Sequence, residues 1–464
     1  MNAMNKAADS ALPLAHEVRA TRAGAGFVTA IAPAATADGG LITDASESHL
    51  LVVAPTGAGK GRSVLIPWLL SWPGCVVAVD PKGEAASVCS RWRAGLGQPV
   101  CVVDPWSTGA SHALNPMDVL LRDSTDLGDD CMTLAELIVG EAPSASSMDP
   151  FWRSCALHLL TALMGWVWVR GSITERRAAD DGTLAAVWRL LNDDDINMVL
   201  AVALDARAAR MPAFVREGFV SFLAHEGERV RTSVRSEAVS LMRVFGSARV
   251  QRATGSTTLP LGVLSAGDPA SVIFVVPPER LASHAAYLRI QLGALLALTM
   301  RRRRRPASPT LFLLDELGNL GPLPQLKQAV TLLRGYGVRV ALFVQSLAQL
   351  KGLWPTDHET ITDNCGIWLT FGSTRLAAAR EIADKLGDIS AETIFELPQD
   401  RLVLHRAGRP TAVARKLDYL HDAMFEGRFE PNPLHAVAQA PDASEGSARS
   451  RLAAAAAMSS PLER

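Results

Sequence analysis

Lysine is scarce in this 464-residue chain: seven of its 46 basic residues, the rest being arginine. Neither sign of charge is in excess. The formal net charge is −1 at neutral pH, which excludes a general attraction to nucleic acid or membrane and leaves any polyanion site to local placement of charge. The six cysteines, at 75, 89, 101, 131, 155 and 365, form no C-x-x-C pair, and several sit in apolar runs. That spacing argues against a zinc site and predicts reduced core thiols of a cytoplasmic protein. No apolar run is long enough for a bilayer: the longest, Cys155 to Val169, is interrupted by His158, ends at Arg170 and reads as a buried helix. Residues 1–26 are polar and alanine-rich, without the apolar centre of a secretion signal.

With 48% hydrophobic and 20% charged residues the composition is globular, and the length allows two or three domains. Residues 1–45 are expected to form a poorly ordered arm ending in a small β element near Gly40. From 46 to 118, and again from 253 to 436, short valine-rich runs alternate with helical segments. Strands are expected at His49–Val53, Gly74–Asp80, Val100–Asp104, Ser271–Val276, Leu311–Asp315, Val338–Val344, Ile367–Thr370 and Arg401–His405, with a helix over 279–301. This alternation predicts an α/β fold with a parallel-rich central sheet covered by helices on both faces. Between them, residues 119–252 carry apolar residues only at helical spacing and predict an inserted all-α domain, with the tryptophan-rich segment Phe151–Trp168 in its core. The stretch 437–464, rich in Ala, Ser, Pro and Glu, is expected to be disordered.

Ala54-Pro-Thr-Gly-Ala-Gly-Lys-Gly61 follows the apolar run Leu50–Val53 and leads into an apolar helix. A buried strand, a glycine-rich loop with a lysine and a helix N-terminus together cradle nucleotide phosphates: backbone N–H groups face the anion and the lysine reaches the outer phosphates. The nucleotide-binding residues would be Thr56, Gly57, Ala58, Gly59, Lys60, Gly61, Arg62 and Ser63. The loop departs twice from G-x-x-x-x-G-K-[ST]. Ala54 stands for the first glycine, and Gly61 stands where a magnesium-binding hydroxyl is expected, so Ser63 or a water would have to take that role. Thr310-Leu-Phe-Leu-Leu-Asp-Glu316 is an apolar run that would deliver Asp315 to Mg²⁺ and Glu316 to the water attacking the γ-phosphate. The pairing predicts ATP or GTP hydrolysis. Gln345, ending the next strand, is either a γ-phosphate sensor or an ordinary polar strand end. Arg334 is either an arginine that completes a neighbouring subunit's site or a solvated helix-end residue. Asp80-Pro-Lys-Gly-Glu84 closes the second strand at the sheet edge where α/β folds bind ligands. Arg301 to Arg305 reads as a solvated loop, with a nucleic-acid backbone contact as the alternative.

Taken in order, Ala54–Gly61, Asp80–Glu84, Asn115-Pro-Met-Asp118, Phe151-Trp152, Leu313-Leu-Asp-Glu-Leu317, Arg334-Gly-Tyr-Gly337, Gln345-Ser-Leu-Ala-Gln-Leu350, Asn364-Cys365 and Leu397-Pro398 resemble the TraG-like type IV coupling proteins. The resemblance covers about residues 45–430, and a glycine after the loop lysine is common in that family. It implies a RecA-like P-loop NTPase domain with an inserted all-α domain. It also implies ring hexamers related to FtsK and HerA translocases, and ATP with Mg²⁺ as the ligands. The function implied is delivery of DNA with its relaxase, or of effector proteins, to a type IV secretion channel. By the family's pattern Lys60, Asp315, Glu316 and Gln345 are ATPase residues and Arg334 the trans arginine. The family usually begins with a membrane anchor and this chain shows none. The expectation is therefore a cytoplasmic protein, peripheral at the inner membrane through a partner, or a start that lies upstream. Two other readings share these residues: a soluble FtsK/HerA-like DNA translocase of a mobile element, and a non-hydrolysing cargo-recruitment adaptor, against which the intact Lys60, Asp315 and Glu316 argue.

Overall fold

Seven short runs rich in valine, leucine and isoleucine lie parallel along one side of a single sheet, and all but the outermost are buried on both faces, as continuous apolar runs require. In the computed structural model, which describes residues 11–18, 38–109, 111–122, 124–140, 150–173, 181–321 and 323–435, the strands are β1 (Leu12–Val18), β2 (Asp38–Asp44), β3 (Leu50–Val53), β4 (Val76–Val79), β5 (Val100–Val103), β6 (Ser271–Phe274), β7 (Thr310–Leu314), β8 (Val338–Val344), β9 (Ile367–Thr370), β10 (Arg401–Arg406) and β11 (Arg409–Arg415). They form one sheet in the order β2-β1-β11-β10-β9-β3-β8-β7-β4-β6-β5. From β9 to β5 every pairing is parallel, and β10, β11, β1 and β2 extend it antiparallel.

Alternate residues of each strand face two layers. Leu50, Val52, Ala78, Leu313 and Phe343 pack with Trp68, Leu69 and Leu12 on one side. Leu51, Val79, Leu314 and Leu342 on the other join a core that continues into the helices Leu127–Val139, Pro150–Ile173 and Ala285–Met300. Between β5 and β6 the described residues form helices and no strand, from Pro116–Leu121 to Leu261–Ala266. Asn115-Pro-Met-Asp118 starts this region for a local reason. Pro116 occupies the first turn, the Asn115 Oδ1 accepts the Met117 N–H at 3.1 Å, and its amide donates to Gly182 O at 2.8 Å.

Four expectations need correction. The arm at 1–45 contains β1, whose Leu12, Leu14 and Ala15 are fully buried and whose Pro13 carbonyl accepts the Trp68 indole N–H at 2.7 Å. The expected helix 279–301 is two helices, Pro278–Leu281 and Ala285–Met300. The arginine run is not a solvated loop throughout. Arg302 is buried and donates to Leu264 O, Ser265 O and the Thr310 hydroxyl, Arg301 pairs with Asp130 and Arg305 with Glu47. Phe151, expected in the core, is 48% exposed at the start of its helix. The expected disordered tail at 437–464 lies outside the described residues.

One buried arginine ties the helix after the glycine loop to the sheet. Arg93 is fully buried and donates to the carbonyls of Leu69 and Trp72 at 2.9 and 2.6 Å, of Gly74 at 2.9 Å, to the Gln98 Oε1 at 2.6 Å and to the Ser271 hydroxyl. Burial pulls its pKa down to about 10, which still leaves it charged at neutral pH. Arg93→Met should keep the stem's volume, strand these acceptors and cost about 3–5 kcal/mol in chemical denaturation. A loss under about 1 kcal/mol would show that the network is not holding this edge together.

Candidate functional site

The register of the parallel strands gathers the functional loops. Val53 pairs with Val344, Leu314 with Leu342 and Val79 with Leu314, so the segments after β3, β8, β7 and β4 leave the sheet side by side. The loop after β3 begins as a continuation of the ladder, with Ala54 N–H donating to Val344 O at 2.9 Å. A side chain is tolerated there, which accounts for alanine in place of the first glycine. Gly57 and Gly59 have φ of +79° and +88°, where only glycine is unstrained. A Cβ added at Gly57 or Gly61 would meet nothing within 4 Å, so the loop faces open space.

Lys60 opens the helix after the loop, and its ammonium lies between two carboxylates, 2.8 Å from Asp315 Oδ1 and 2.5 Å from Glu316 Oε1. Burial opposes the ammonium's charge, but the two acids outweigh it and hold its pKa above the ordinary lysine value. Burial also raises the Asp315 carboxyl against the pull of Lys60. Glu316 has φ 54° and ψ 41°, the one left-handed non-glycine conformation among the described residues, and such a backbone costs about 1–3 kcal/mol. Gln345 reaches the same carboxylate, with its amide 3.5 Å from Glu316 Oε2. Asp80, next to Asp315 across the β4–β7 pair, is buried and accepts the Ala86 N–H at 2.8 Å; burial pushes its carboxyl up to about 6.

A cleft of about 580 Å³ borders the loop. Thr56, Gly57, Ala58, Gly59, Arg62 and Ser63 line one wall, and Phe371, Leu397, Asp400, Lys416 and Asp418 are on the other. Sequence reasoning missed Lys416. Its ammonium donates to Ala58 O at 2.9 Å and lies 4.1 Å over the Phe371 ring. The only signal would have been the rarity of lysine itself. Arg62 forks onto Asp418 at 2.7 and 2.5 Å. Asp418 N–H in turn donates to Asp422, which also holds His16 of β1 at 2.9 Å and Arg415 at 3.0 Å. The loop, the C-terminal strand and the N-terminal strand are thus laced together.

Of the residues read from the sequence, Lys60, Asp315, Glu316 and Gln345 come together, and the loop residues face the cleft. Ser63 is buried in the cleft wall, two residues past Gly61 and so roughly on the opposite side of the helix from it. Arg334 lies elsewhere. It is exposed in the turn Leu333–Tyr336 before β8, at the opposite end of a strand about 20 Å long. Among the described residues no group of three or more His, Cys, Asp or Glu side chains is set to enclose a metal ion. Mg²⁺ needs no such cage: it is bound through one or two carboxylates with phosphates and waters completing its shell, and Asp315 offers one carboxylate at this edge.

The sequence profile of the type IV secretory system conjugative DNA transfer family matches residues 14–417. The chain belongs to that family. It is 28% identical over 348 residues to the conjugal transfer protein TraG of Rhizobium radiobacter, covering 74% of this chain and 53% of that protein. It is 24% identical over 429 residues to the protein VirD4 of the same organism, covering 84% and 60%. The chain thus spans about half the length of the TraG relatives it matches. Its fold is that of the plasmid coupling protein TrwB, solved in complex with ADP and Mg²⁺, with a TM-score of 0.62 at 16% identity over 80% of this chain and 85% of that one. The parallel-rich sheet, layered by helices and carrying the glycine loop after β3, is the α/β P-loop arrangement expected from the sequence. Among the described residues no helix is long and apolar enough to cross a membrane.

Lys416 gives this site a pH signature. Burial, partly offset by Asp400, pulls its pKa down to about 8. The unfolded chain therefore binds this proton more tightly than the folded one. The group opposes folding fully below pH 8, and the opposition fades as pH rises from about 8 towards the ordinary lysine value. Denaturation of wild type and Lys416→Met at about pH 7.5 and 9.5 should show wild type gaining stability relative to the variant at the higher pH. Parallel behaviour would show that the ammonium is not desolvated.

Proposed function

We propose that this chain is an ATP-hydrolysing coupling protein that recruits a DNA–relaxase complex or a protein substrate to a type IV secretion machine. The observation that carries the reading is Lys60 between Asp315 and Glu316, beside a left-handed glycine loop at the carboxyl edge of a parallel sheet. Phosphates bound by the loop N–H groups would draw Lys60 from the carboxylates, freeing Glu316 to accept a proton from an attacking water. Gln345, already at Glu316, would orient that water or report the γ-phosphate. Asp315 would hold Mg²⁺, which supplies charge to the phosphate oxygens; with Ser63 on the other side of the helix from position 61, a water would stand for the hydroxyl missing there. Thr56, Gly57, Ala58, Gly59, Gly61 and Arg62 would complete the nucleotide seat.

Arg334 would serve a neighbouring copy in a ring of six, and the protein would act in the cytoplasm, reaching the inner membrane through a partner. The division into a RecA-like domain at 46–118 and 253–436 and an all-α domain at 119–252 assigns the cargo contact to the helices. What supports it is an open hollow of about 690 Å³ lined by Trp152, Arg229 and Glu237, with the exposed Phe151 ring against Trp152. Because the apolar core runs unbroken from sheet to helices, surface substitutions test this better than deletion.

Lys60→Ala should abolish phosphate release from ATP, whereas Glu316→Gln should bind a fluorescent ATP analogue while losing turnover by about 100-fold or more. Wild-type turnover in Lys60→Ala would sink the site, and lost binding in Glu316→Gln would reverse the role given to that residue. Phe151→Ala combined with Arg229→Glu should weaken capture of relaxase or effector with ATP turnover unchanged. Undiminished capture would remove the cargo role from this hollow.

A further inference from the structure

The carboxylate of Glu316 and the amide of Gln345 leave the sheet from neighbouring strands, and one side chain sets the gap between those two exits. Gln349 lies in the first turn of the helix Leu347–Leu353, held by Ser346, whose carbonyl and hydroxyl accept the Gln349 N–H at 3.2 and 3.4 Å. Its Oε1 accepts the backbone N–H of Gln345 at 2.9 Å, fixing the peptide that carries the Gln345 side chain. Its Nε2 end lies against Gly318, so close that a Cβ on that glycine would fall 1.9 Å from Nε2 and 2.6 Å from Cδ. Gly318 is two residues beyond Glu316, with the fully buried Leu317 between them. The left-handed turn at Glu316 is thus walled on the β8 side by the Gln349 amide.

We infer that Gln349 is a positioning residue: it braces the turn after β7 against the end of β8 and so holds Glu316 in its left-handed conformation, within reach of Gln345 and Lys60. The inference rests on the ATP-hydrolysis reading above. Without the brace, Glu316 is free to relax to an ordinary backbone conformation, which rotates its carboxylate away from Gln345. Gly318 belongs to the same device, because any larger residue there would displace the Gln349 amide. The spacing of the two glutamines also fits. Gln345 follows the last residue of β8 and Gln349 lies one helical turn on, so the second can reach back to the backbone of the first.

The test compares wild type, Gln349→Ala, Gly318→Ala and the double variant. Gln349→Ala should bind a fluorescent ATP analogue within about twofold of wild type and lose kcat by about 10- to 100-fold, with KM little changed. Gly318→Ala should lose a similar factor, and the double variant should lose no more than Gln349→Ala, since the clash has lost its partner. The same non-additivity should appear in thermal denaturation: Gly318→Ala lowers the midpoint of wild type but not that of Gln349→Ala. Wild-type kcat in Gln349→Ala, or additive losses in either measurement, would overturn the brace. Should Gln349→Ala not fold, a folded Gly318→Ala with wild-type kcat would overturn it equally. A wild-type protein without ATP turnover would sink the functional reading instead, and the denaturation cycle would still decide the brace.

Discussion

Three charged groups brought together by four parallel strands organise the site: the Lys60 ammonium and the carboxylates of Asp315 and Glu316, 2.8 and 2.5 Å from it. Lys60 precedes the two acids by 255 and 256 residues. Their meeting depends on β3, β8, β7 and β4 ending within two residues of one another, with Val53 paired to Val344 and Leu314 paired to both Leu342 and Val79, so that Asp315 and Glu316 run on beside the last residues of β8. A parallel sheet carries its ligands at the carboxyl edge because its loops and helix N-termini converge there. Slipping any one of these strands by a single residue would turn its buried side chains to the other layer and carry its functional residue out of reach.

The amino edge of the same sheet is built differently. Three buried arginines staple it. Arg93 reaches Gly74 before β4 and Ser271 at the start of β6; Arg302 reaches Thr310 at the start of β7; Arg339, in β8, donates to Ser48 O and Asp44, both at 2.8 Å. A guanidinium suits this work, since its fixed fork satisfies several carbonyls at once and stays charged when buried. Part of the chain's arginine excess over lysine has this structural use. The result is one edge held by buried networks and one edge whose charged groups stay within reach of a ligand.

The parallel strands were legible because burial on both faces leaves unbroken apolar runs, and Val338–Val344 and Ile367–Thr370 come out with the expected bounds. The antiparallel extension was less so. In β1, Pro13, His16 and Glu17 break the pattern, and in β11 Arg409-Pro410 does the same; each is held by contacts the local sequence does not carry, such as Trp68 to Pro13 and Asp422 to His16. Lys60, Asp315, Glu316 and Gln345 were legible because each follows a recognisable run. Lys416 was not, since its partner Ala58 lies 358 residues away. Nor was the left-handed turn at Glu316, which no glycine announces.

The position of Arg334 sets a condition on the trans role proposed for it. The register that gathers Lys60, Glu316 and Gln345 at one end of β8 places Arg334 before the other end, beyond the reach of any arginine side chain. It is exposed there, flanked by Leu332 and Tyr336, which are 66% and 42% exposed. An arginine that serves phosphates from this position serves those of another copy, whose carboxyl edge must then face this amino edge. Such a contact is head-to-tail, and a head-to-tail contact repeats until it closes as a ring or extends as a filament. The trans role read for Arg334 and the ring assembly are therefore linked: a chain that works as a monomer leaves this arginine without a phosphate to meet.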